Sequence, residues 1–469
     1  MNSPFRHPLR FLIPIAIAME GSLLALHFAR RDDQQILILL GAYLVCGLGW
    51  GWLLYRGWRE GGRAVGNASS MDMGCGAYST DMVGGTHPTI AMIAAIFVIG
   101  LVFRATLMPV DSTASQDVRR YLWEGLVQQA GYSPYQYAPD DPTLLPLAEQ
   151  HAALHERINH RDLPAIYPAF AQLLFRSNAV LFGGTLLGWK LILLAFDLLL
   201  TGTVYVFLRK NKANAYLGLI GVWWCPLLLL ETYEGGHLDL IGAALLTLAV
   251  VSMMRGRVLA AGIALGLAVN VKYLWPIMVG VLLLQAAGTW RLRAWFAAVA
   301  GVTAAACWLP YARSLPAAIE TARHFAEHWT FNDPIFEIIR HIPGPQWLPM
   351  GLVLGGLCGL AAWLHHKSRG KSLWQDAWLL NGTALLLGPV AYPWYYLWVV
   401  PGLALRPPAW LLTWIILVPA LHVVDWQYVR SGTWDAMMWL WIVVDAVPAV
   451  LLICAWWQKL KQDAGRATQ

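Results

Sequence analysis

The stretch RGRVLAAGIALGLAVNVKYLWPIMVGVLLLQAAGTWRLR, residues 255–293, decides the fold. Its middle, 258–289, is almost wholly apolar, and basic pairs stand at both ends: Arg255 with Arg257, and Arg291 with Arg293. About 20 apolar residues cross about 30 Å of hydrocarbon, and Lys and Arg collect in the short cytoplasmic loops. Because both ends carry the cytoplasmic mark, the segment has to go out and come back. It therefore reads as two short helices meeting near Asn270, Val271 and Lys272.

The same logic extends outward. The chain has 469 residues, of which 58% are hydrophobic and only 13% charged. A soluble domain carries about 25% charged residues, so this balance belongs to a polytopic membrane protein. The 26 Trp suit the headgroup layer, and the net charge of +6 is accounted for by basic loops rather than by nucleic acid. Apolar runs lie at about 10–28, 36–55, 89–108, 165–183, 189–208, 214–231, 238–254, 258–289, 294–310, 346–364, 373–391, 393–405, 409–424 and 436–457. Further basic markers are Arg56, Arg59 and Arg63; Arg209, Lys210 and Lys212; His365 to Lys371; Arg406; and Lys459 with Lys461. If 165–183 and 189–208 both crossed, every marker from Arg209 onward would be inverted. The segment 167–182 is therefore expected to lie at the outer interface or to be re-entrant. The resulting fold class is an all-α polytopic membrane protein with about 14 transmembrane or short membrane helices and both termini cytoplasmic.

Three regions follow: 1–88, a transmembrane hairpin and a Gly/Ser-rich linker at 61–88; 89–457, the main transmembrane domain; and 458–469, a cytoplasmic tail. The run at 10–28 is long enough to span and a second run follows at once, so it reads as a retained first span rather than a signal peptide. Cys46, Cys75, Cys225, Cys307, Cys358 and Cys454 form no CxxC pair and read as inert thiols. The sequon at Asn67 falls on the cytoplasmic side. No P-loop or dinucleotide-binding fingerprint occurs, so no nucleotide is expected.

Two long outer segments remain, 109–188 and 311–345. In the first, Thr113-Ala-Ser-Gln116 fits a capping box and Gly131 a stop. Val118, Leu122 and Leu126 share one helical face; Asp117, Arg120, Glu124 and Gln128 share the other. Such a helix is expected to lie flat on the membrane, apolar side down, with Asp117 at the water–lipid boundary. By itself Asp117 could equally be a first-turn carboxylate paired with Arg120. A turn rich in Gly, Pro and Tyr follows, then a second helix at about 143–159. Loops of this size are usually functional.

The string QDVRRYLWEGLVQQAGYSPYQYAP at 116–139, followed by IYPAFAQLLF at 166–175, resembles the first outer loop of multi-spanning glycosyltransferases of the C superfamily (GT-C). Within it, the chain looks like the bacterial mannosyltransferase-like branch that uses polyprenyl-phosphate sugars. Members commonly read D-x-x-R-Y-x-W-D-G, then N-P-Y and Y-P-P. Here Glu124 stands for the second Asp, Ser133 precedes Pro134, and Ala169 replaces the second Pro. GGHLDL at 235–240, NVKYLWP at 270–276, EHWTFNDPIFEII at 327–339 and AYPWYYLWVVP at 391–401 extend the likeness over about 89–450. The resemblance implies an inverting transfer in the inner membrane of a bacterium, on its outer side, with Asp117 as general base. It names mannose first and leaves the acceptor, a glycan or lipid hydroxyl, open.

Other polar residues stand out against the apolar background. Lys272, at membrane depth, reads as a contact to the donor phosphate or as one half of a structural pair. Glu231, Glu234, His237 and Asp239 surround an outer turn; their spacing could build a metal site, solvated or structural roles are the simpler reading, and His237 and Asp239 are the two expected to face the cavity and to bind the donor alongside Arg120 and Arg340. Tyr121, Glu124, Tyr167 and Asn332 are expected substrate contacts, and Tyr392, Trp394 and Tyr395 read either as belt aromatics or as sugar-stacking substrate contacts. His324 and His328 stand at i, i+4 without the HExxH surround of a zinc site. Asp197 is mid-span and reads as paired within the bundle. The leaving phosphate calls for a cation, either a side chain or a divalent metal ion; no other cofactor is implied. A lipid-glycan flippase or secondary transporter is the alternative, which would show broken helices paired between two halves. A non-catalytic envelope scaffold is the third reading.

Overall fold

The computed structural model describes residues 9–29, 32–66, 90–112, 115–211, 213–368, 372–405, 407–434 and 438–467. Arg6, Thr113, Lys212, Lys371, Arg406, the sequon at Asn67 and the linker beyond Gly66 lie outside them. The protein is an all-α, multi-pass membrane protein. Among the described residues nine helices are long and apolar enough to cross a membrane, and no strand occurs; one bridge joins Phe331 to Val390.

The N-terminal hairpin is α1 (Leu9–Leu24) and α2 (Asp32–Gly66), followed by α3 (Ile90–Leu107). The first outer segment contains α4 (Asp117–Gln129), α5 (Leu145–Gln150), α6 (Ala152–His155) and α7 (Ala169–Phe182). The single helix expected at 143–159 is thus broken: Pro142 and Pro146 start separate turns, and His151 leaves helical geometry. At 14 residues α7 is too short to span, in keeping with its expected interfacial place.

Next come α8 (Leu186–Lys210), α9 (Ala215–Trp223), α10 (Pro226–Tyr233) and α11 (Asp239–Met254). The run read as one span at 214–231 is therefore two helices. Pro226 has no amide to donate and pushes the residue before it to extended geometry, and Cys225 sits at ψ 120°. The predicted hairpin is present as α12 (Val258–Val269) and α13 (Leu274–Ala286). The two fold back on each other: a Cβ on Gly280 would come 2.9 Å from Leu265. Gly262 and Gly266, one turn apart, let α12 press on the carbonyls of Phe296 and Ala300 in α14 (Trp290–Trp308), a small-residue interface suited to lipid.

The second outer segment holds α15 (Leu315–His328) and α16 (Pro334–Arg340), and α17 (Leu348–Ser368) and α18 (Leu373–Leu387) follow. The apolar run at 393–405 is not an α-helix. Pro393–Ala404 forms a 3-10 segment, buried throughout. Such a long run is uncommon, and irregular backbone survives at membrane depth only inside protein. The chain ends with α19 (Ala409–Leu417), α20 (His422–Ser431), α21 (Met438–Trp441) and α22 (Val447–Ala467).

Contacts group the loops at two ends. At one end Ala171 N–H donates to Asn270 O (3.1 Å), Tyr311 Oη to Gln128 (2.7 Å) and Phe331 N–H to Pro389 O (3.1 Å). At the other end Gly57 meets Leu217, Phe207 stacks on Trp374 at 4.1 Å, and Arg293 lies within electrostatic reach of His365.

Arg104 and Asp197 form an ion pair inside the bundle. Arg104 donates to Asp197 (2.7 Å) and to the carbonyls of Gly100 and Trp223, and Tyr233 Oη donates to Asp197 (2.8 Å). Asp197 thus pairs within the bundle as expected. Breaking a buried pair leaves an uncompensated charge, worth about 3–5 kcal/mol. Asp197→Ala should therefore lower the thermal midpoint in detergent far more than Asp140→Ala, whose carboxylate is half exposed; equal midpoints would show that the pair is not structural.

Candidate functional site

The helix that carries Asp117 is capped differently from the sequence expectation. Its first residue is Asp117 and its N-cap is Gln116, with Asp117 N–H donating to Ser115 Oγ (3.3 Å). The stop is as expected. Gly131 has φ +90°, its N–H donates to Gln128 O, and Tyr132 N–H donates to Val127 O, which together satisfy the last carbonyls. A carboxylate at the first residue is favoured by the N-terminal dipole.

α4 does not lie on the membrane with its polar face outward. Every residue from Val118 to Gln128 is buried. Its polar face is turned onto α7, where Gln172 donates to Glu124 (2.5 Å) and accepts from Gln128 (2.8 Å). Gly125 allows the approach, since a Cβ there would fall 2.3 Å from Phe175 O.

Arg120 is not available to a donor phosphate. Its Nε donates to Glu124 (2.9 Å), and its terminal nitrogens donate to the carbonyls of Asn159 (3.2 Å), His160 (2.6 Å), Leu163 and Pro164 (2.8 Å). All five guanidinium donors are thus used inside the protein. Glu124, held by Arg120 and Gln172, is not a substrate contact either. Tyr121 is buried among Tyr167, Phe175 and Trp189. Arg340 lies on the surface paired with Glu337. Asp111 pairs with Arg119 and Arg157. Burial alone would raise its carboxyl, but the two guanidiniums hold it below the usual carboxylate range.

What Arg120 secures is the loop at 159–164, and that loop positions Asp117. Asn159 Nδ2 donates to Asp117 Oδ1 (2.9 Å). The next residue, His160, has φ +46°, an uncommon conformation for a non-glycine, and its ring packs on Trp329 of the second outer segment at 4.9 Å. Asp117 remains partly exposed.

Opposite stands Lys272, in the turn between α12 and α13. Its ammonium meets both oxygens of Asp239 (2.7 and 2.8 Å) and lies 3.6 Å over the Tyr395 ring. Trp398 Nε1 also donates to Asp239 (2.8 Å). An ammonium has three N–H donors, so one is left over after the carboxylate. Val118 fills the space at Gly236, whose φ is +72°, bringing the GGH turn against α4. Asp117 lies within electrostatic range of Tyr121, Glu124, Tyr167, Asp239, Lys272, Tyr392, Tyr395 and Asp425. Of these, Asp117 and Lys272 are the charged groups singled out by sequence that keep some exposure.

A ladder of parallel rings forms the adjoining wall. His237 stacks on Trp394 (3.9 Å), Trp394 on Tyr392 (4.7 Å), and Tyr392 on Phe331 (4.4 Å). His237 is fully buried, so it supports the wall and does not face the cavity. Asn332, at φ +52°, is also buried and donates to Tyr396 Oη (3.1 Å) rather than to an open surface.

Sequence reading missed Asn159 and a buried network in which Glu231 accepts from Tyr43 (2.5 Å) and meets His422 (2.8 Å), itself against Asp425 (2.8 Å). No spacing rule joins Tyr43 to Glu231 or Glu231 to His422. Among the described residues no group of three His, Cys, Asp or Glu side chains is placed to hold a metal ion. One groove lies beside α1 and α2 and another between α8 and α11, both away from Asp117.

In comparisons with known proteins, no family model, curated protein or solved structure matches the chain.

The second outer segment carries a titratable group of its own. Burial first, and the Glu337 carboxylate one turn on, push the Asp333 carboxyl up to about 6. An unfolded Asp titrates near ~3.9. With the folded value raised, stability is lost as pH climbs from about 4 through about 6, and is level above that. Amide exchange in α16, corrected for intrinsic rates, should therefore be better protected at pH 5 than at pH 7. Asp333→Asn should flatten that difference; a slope that survives it would assign the effect to another group.

Proposed function

We propose that this protein is a membrane glycosyltransferase of the GT-C kind. It would move a hexose from a polyprenyl-phosphate donor to a glycan or lipid hydroxyl on the outer face of a bacterial inner membrane. The observation that carries the reading is the convergence of Asp117 with Lys272, at the end of the molecule opposite the basic loops. In the proposed reaction the acceptor hydroxyl gives its proton to the Asp117 carboxylate while its oxygen attacks the anomeric carbon. The bond from that carbon to the phosphate oxygen breaks, and the lipid phosphate leaves with the electron pair, so the anomeric centre inverts. The remaining N–H of Lys272 meets the growing negative charge. Asp239 keeps that ammonium charged and aimed, and the Phe331–Tyr392–Trp394 wall borders the sugar. Mannose is the first choice on the sequence resemblance. About 14 crossings, with both termini cytoplasmic, agree with the sorting of the loops.

A membrane assay with labelled lipid-phosphate sugar tests the chemistry. Asp117→Asn should cut transfer by about 10²–10⁴-fold, the usual share of a general base, with expression and thermal midpoint unchanged. Full activity would remove Asp117 from the mechanism.

A second reading, a lipid-glycan flippase, draws support from the α9–α10 interruption, which gives the hairpin break a partner among the membrane helices. The same assay separates the two: a flippase relocates the labelled lipid without releasing lipid phosphate. For topology, a reporter fused after Asn214 should report the cytoplasm. An external signal there would place Asp117 on the wrong side for this proposal.

A further inference from the structure

At the end of the molecule away from Asp117, a groove of about 340 Å³ runs between α8 and α11. Leu198, Gly202 and Val206 line it on α8, and Leu248 and Val251 on α11, so the two helices run side by side in the same direction. Arg255 and Arg257 close the groove where α11 ends. Along α8, Leu198 to Val206 spans about 12 Å at 1.5 Å per residue. One leaflet of hydrocarbon is about 15 Å deep, half of ~30 Å. The groove is therefore as long as most of one leaflet, mainly apolar along its length with Thr203 and Ser252 among its lining, and cationic at its mouth.

Two further observations point to an occupant. Arg255 Nη2 is buried with no hydrogen-bond partner among the described residues. A buried guanidinium N–H is costly to leave unmade, and a phosphate oxygen is a well-matched acceptor. Leu198 and Val206 are each more than a third exposed, which opens the groove to the lipid side. α11 begins at Asp239 and ends at Met254, about 22 Å away along its axis, so this groove is separate from the convergence at Asp117.

We propose that the groove between α8 and α11 binds one anionic glycerophospholipid. One acyl chain lies along Gly202, and the headgroup phosphate is held by Arg255 and Arg257. A chain much longer than a leaflet would overrun the groove, which favours an acyl chain over a polyprenyl one. The inference stands apart from the glycosyltransferase reading and does not depend on it.

The full-length protein, purified in detergent, tests this by native mass spectrometry with four additions: phosphatidylglycerol, phosphatidylcholine with the same acyl chains, a polyprenyl phosphate, and inorganic phosphate. Phosphatidylglycerol should be retained preferentially. Each of Arg255→Gln and Arg257→Gln should lower its retention about fivefold, the worth of one basic residue near a membrane surface. Arg255→Lys, which keeps the charge, should lose less. Gly202→Phe should block retention in a folded protein, because a Cβ there meets nothing within 4 Å. Equal retention of both glycerophospholipids, retention unchanged in the double Gln variant, preference for the polyprenyl phosphate, or full competition by inorganic phosphate would each overturn the proposal.

Discussion

Arg120 places every one of its guanidinium donors on the protein's own oxygens, and the first outer segment depends on it. A buried cation is tolerable only when its partners are complete. Here Glu124 supplies the countercharge, and four carbonyls between Asn159 and Pro164 supply the remaining acceptors. That arrangement ties α4 to a loop that would otherwise have few internal bonds, and the loop presents Asn159 to Asp117. A residue that looked like a ligand contact is therefore the anchor that sets the carboxylate's position.

Other cations deeper in the bundle are matched as well. Arg104 is matched by Asp197 and Lys272 by Asp239, while Lys190 donates to the carbonyls of Leu107 (3.1 Å) and Val110 (2.5 Å) where α3 ends. Lys272 differs from the others in two respects. It lies in a turn rather than within a helix, and its side chain keeps 12% exposure. Those differences leave it able to meet a ligand, which the fully enclosed pairs are not. The two outer segments are joined by His160 on Trp329, and the bridge from Phe331 to Val390 ties the second to the stretch leading into the 3-10 segment. Asp117, Lys272 and the ring ladder accordingly form one surface supported from several elements.

Legibility followed the range of the interaction concerned. The Asn270–Lys272 break and the short length of 167–182 were readable because hydropathy and basic markers are local. The α9–α10 break had a local signal too, Cys225-Pro226, which a continuous apolar run concealed. The buried 3-10 segment at Pro393–Ala404 looked apolar enough to be a span; its two prolines, Pro393 and Pro401, were the available warning. The polar face of α4 was identified correctly by period but assigned to the wrong surroundings. Amphipathicity says that two faces differ, and does not say whether the polar one meets water or another polar face.

By itself the sequence determined the all-α, multi-pass architecture, the place of the hairpin turn, the two long polar segments and the identity of Asp117 as a carboxylate at a helix start. Each of these rests on composition or on spacing within a few turns. Only the tertiary structure decided which charges are used up and which face outward. Arg120, Glu124 and His237 are enclosed, while Asp117 and Lys272 retain some exposure, because burial depends on what the rest of the chain packs against them. Tyr43 and Glu231 are 188 residues apart, and Glu231 and His422 are 191 apart. Contacts over such distances follow from helix packing, which no local pattern records.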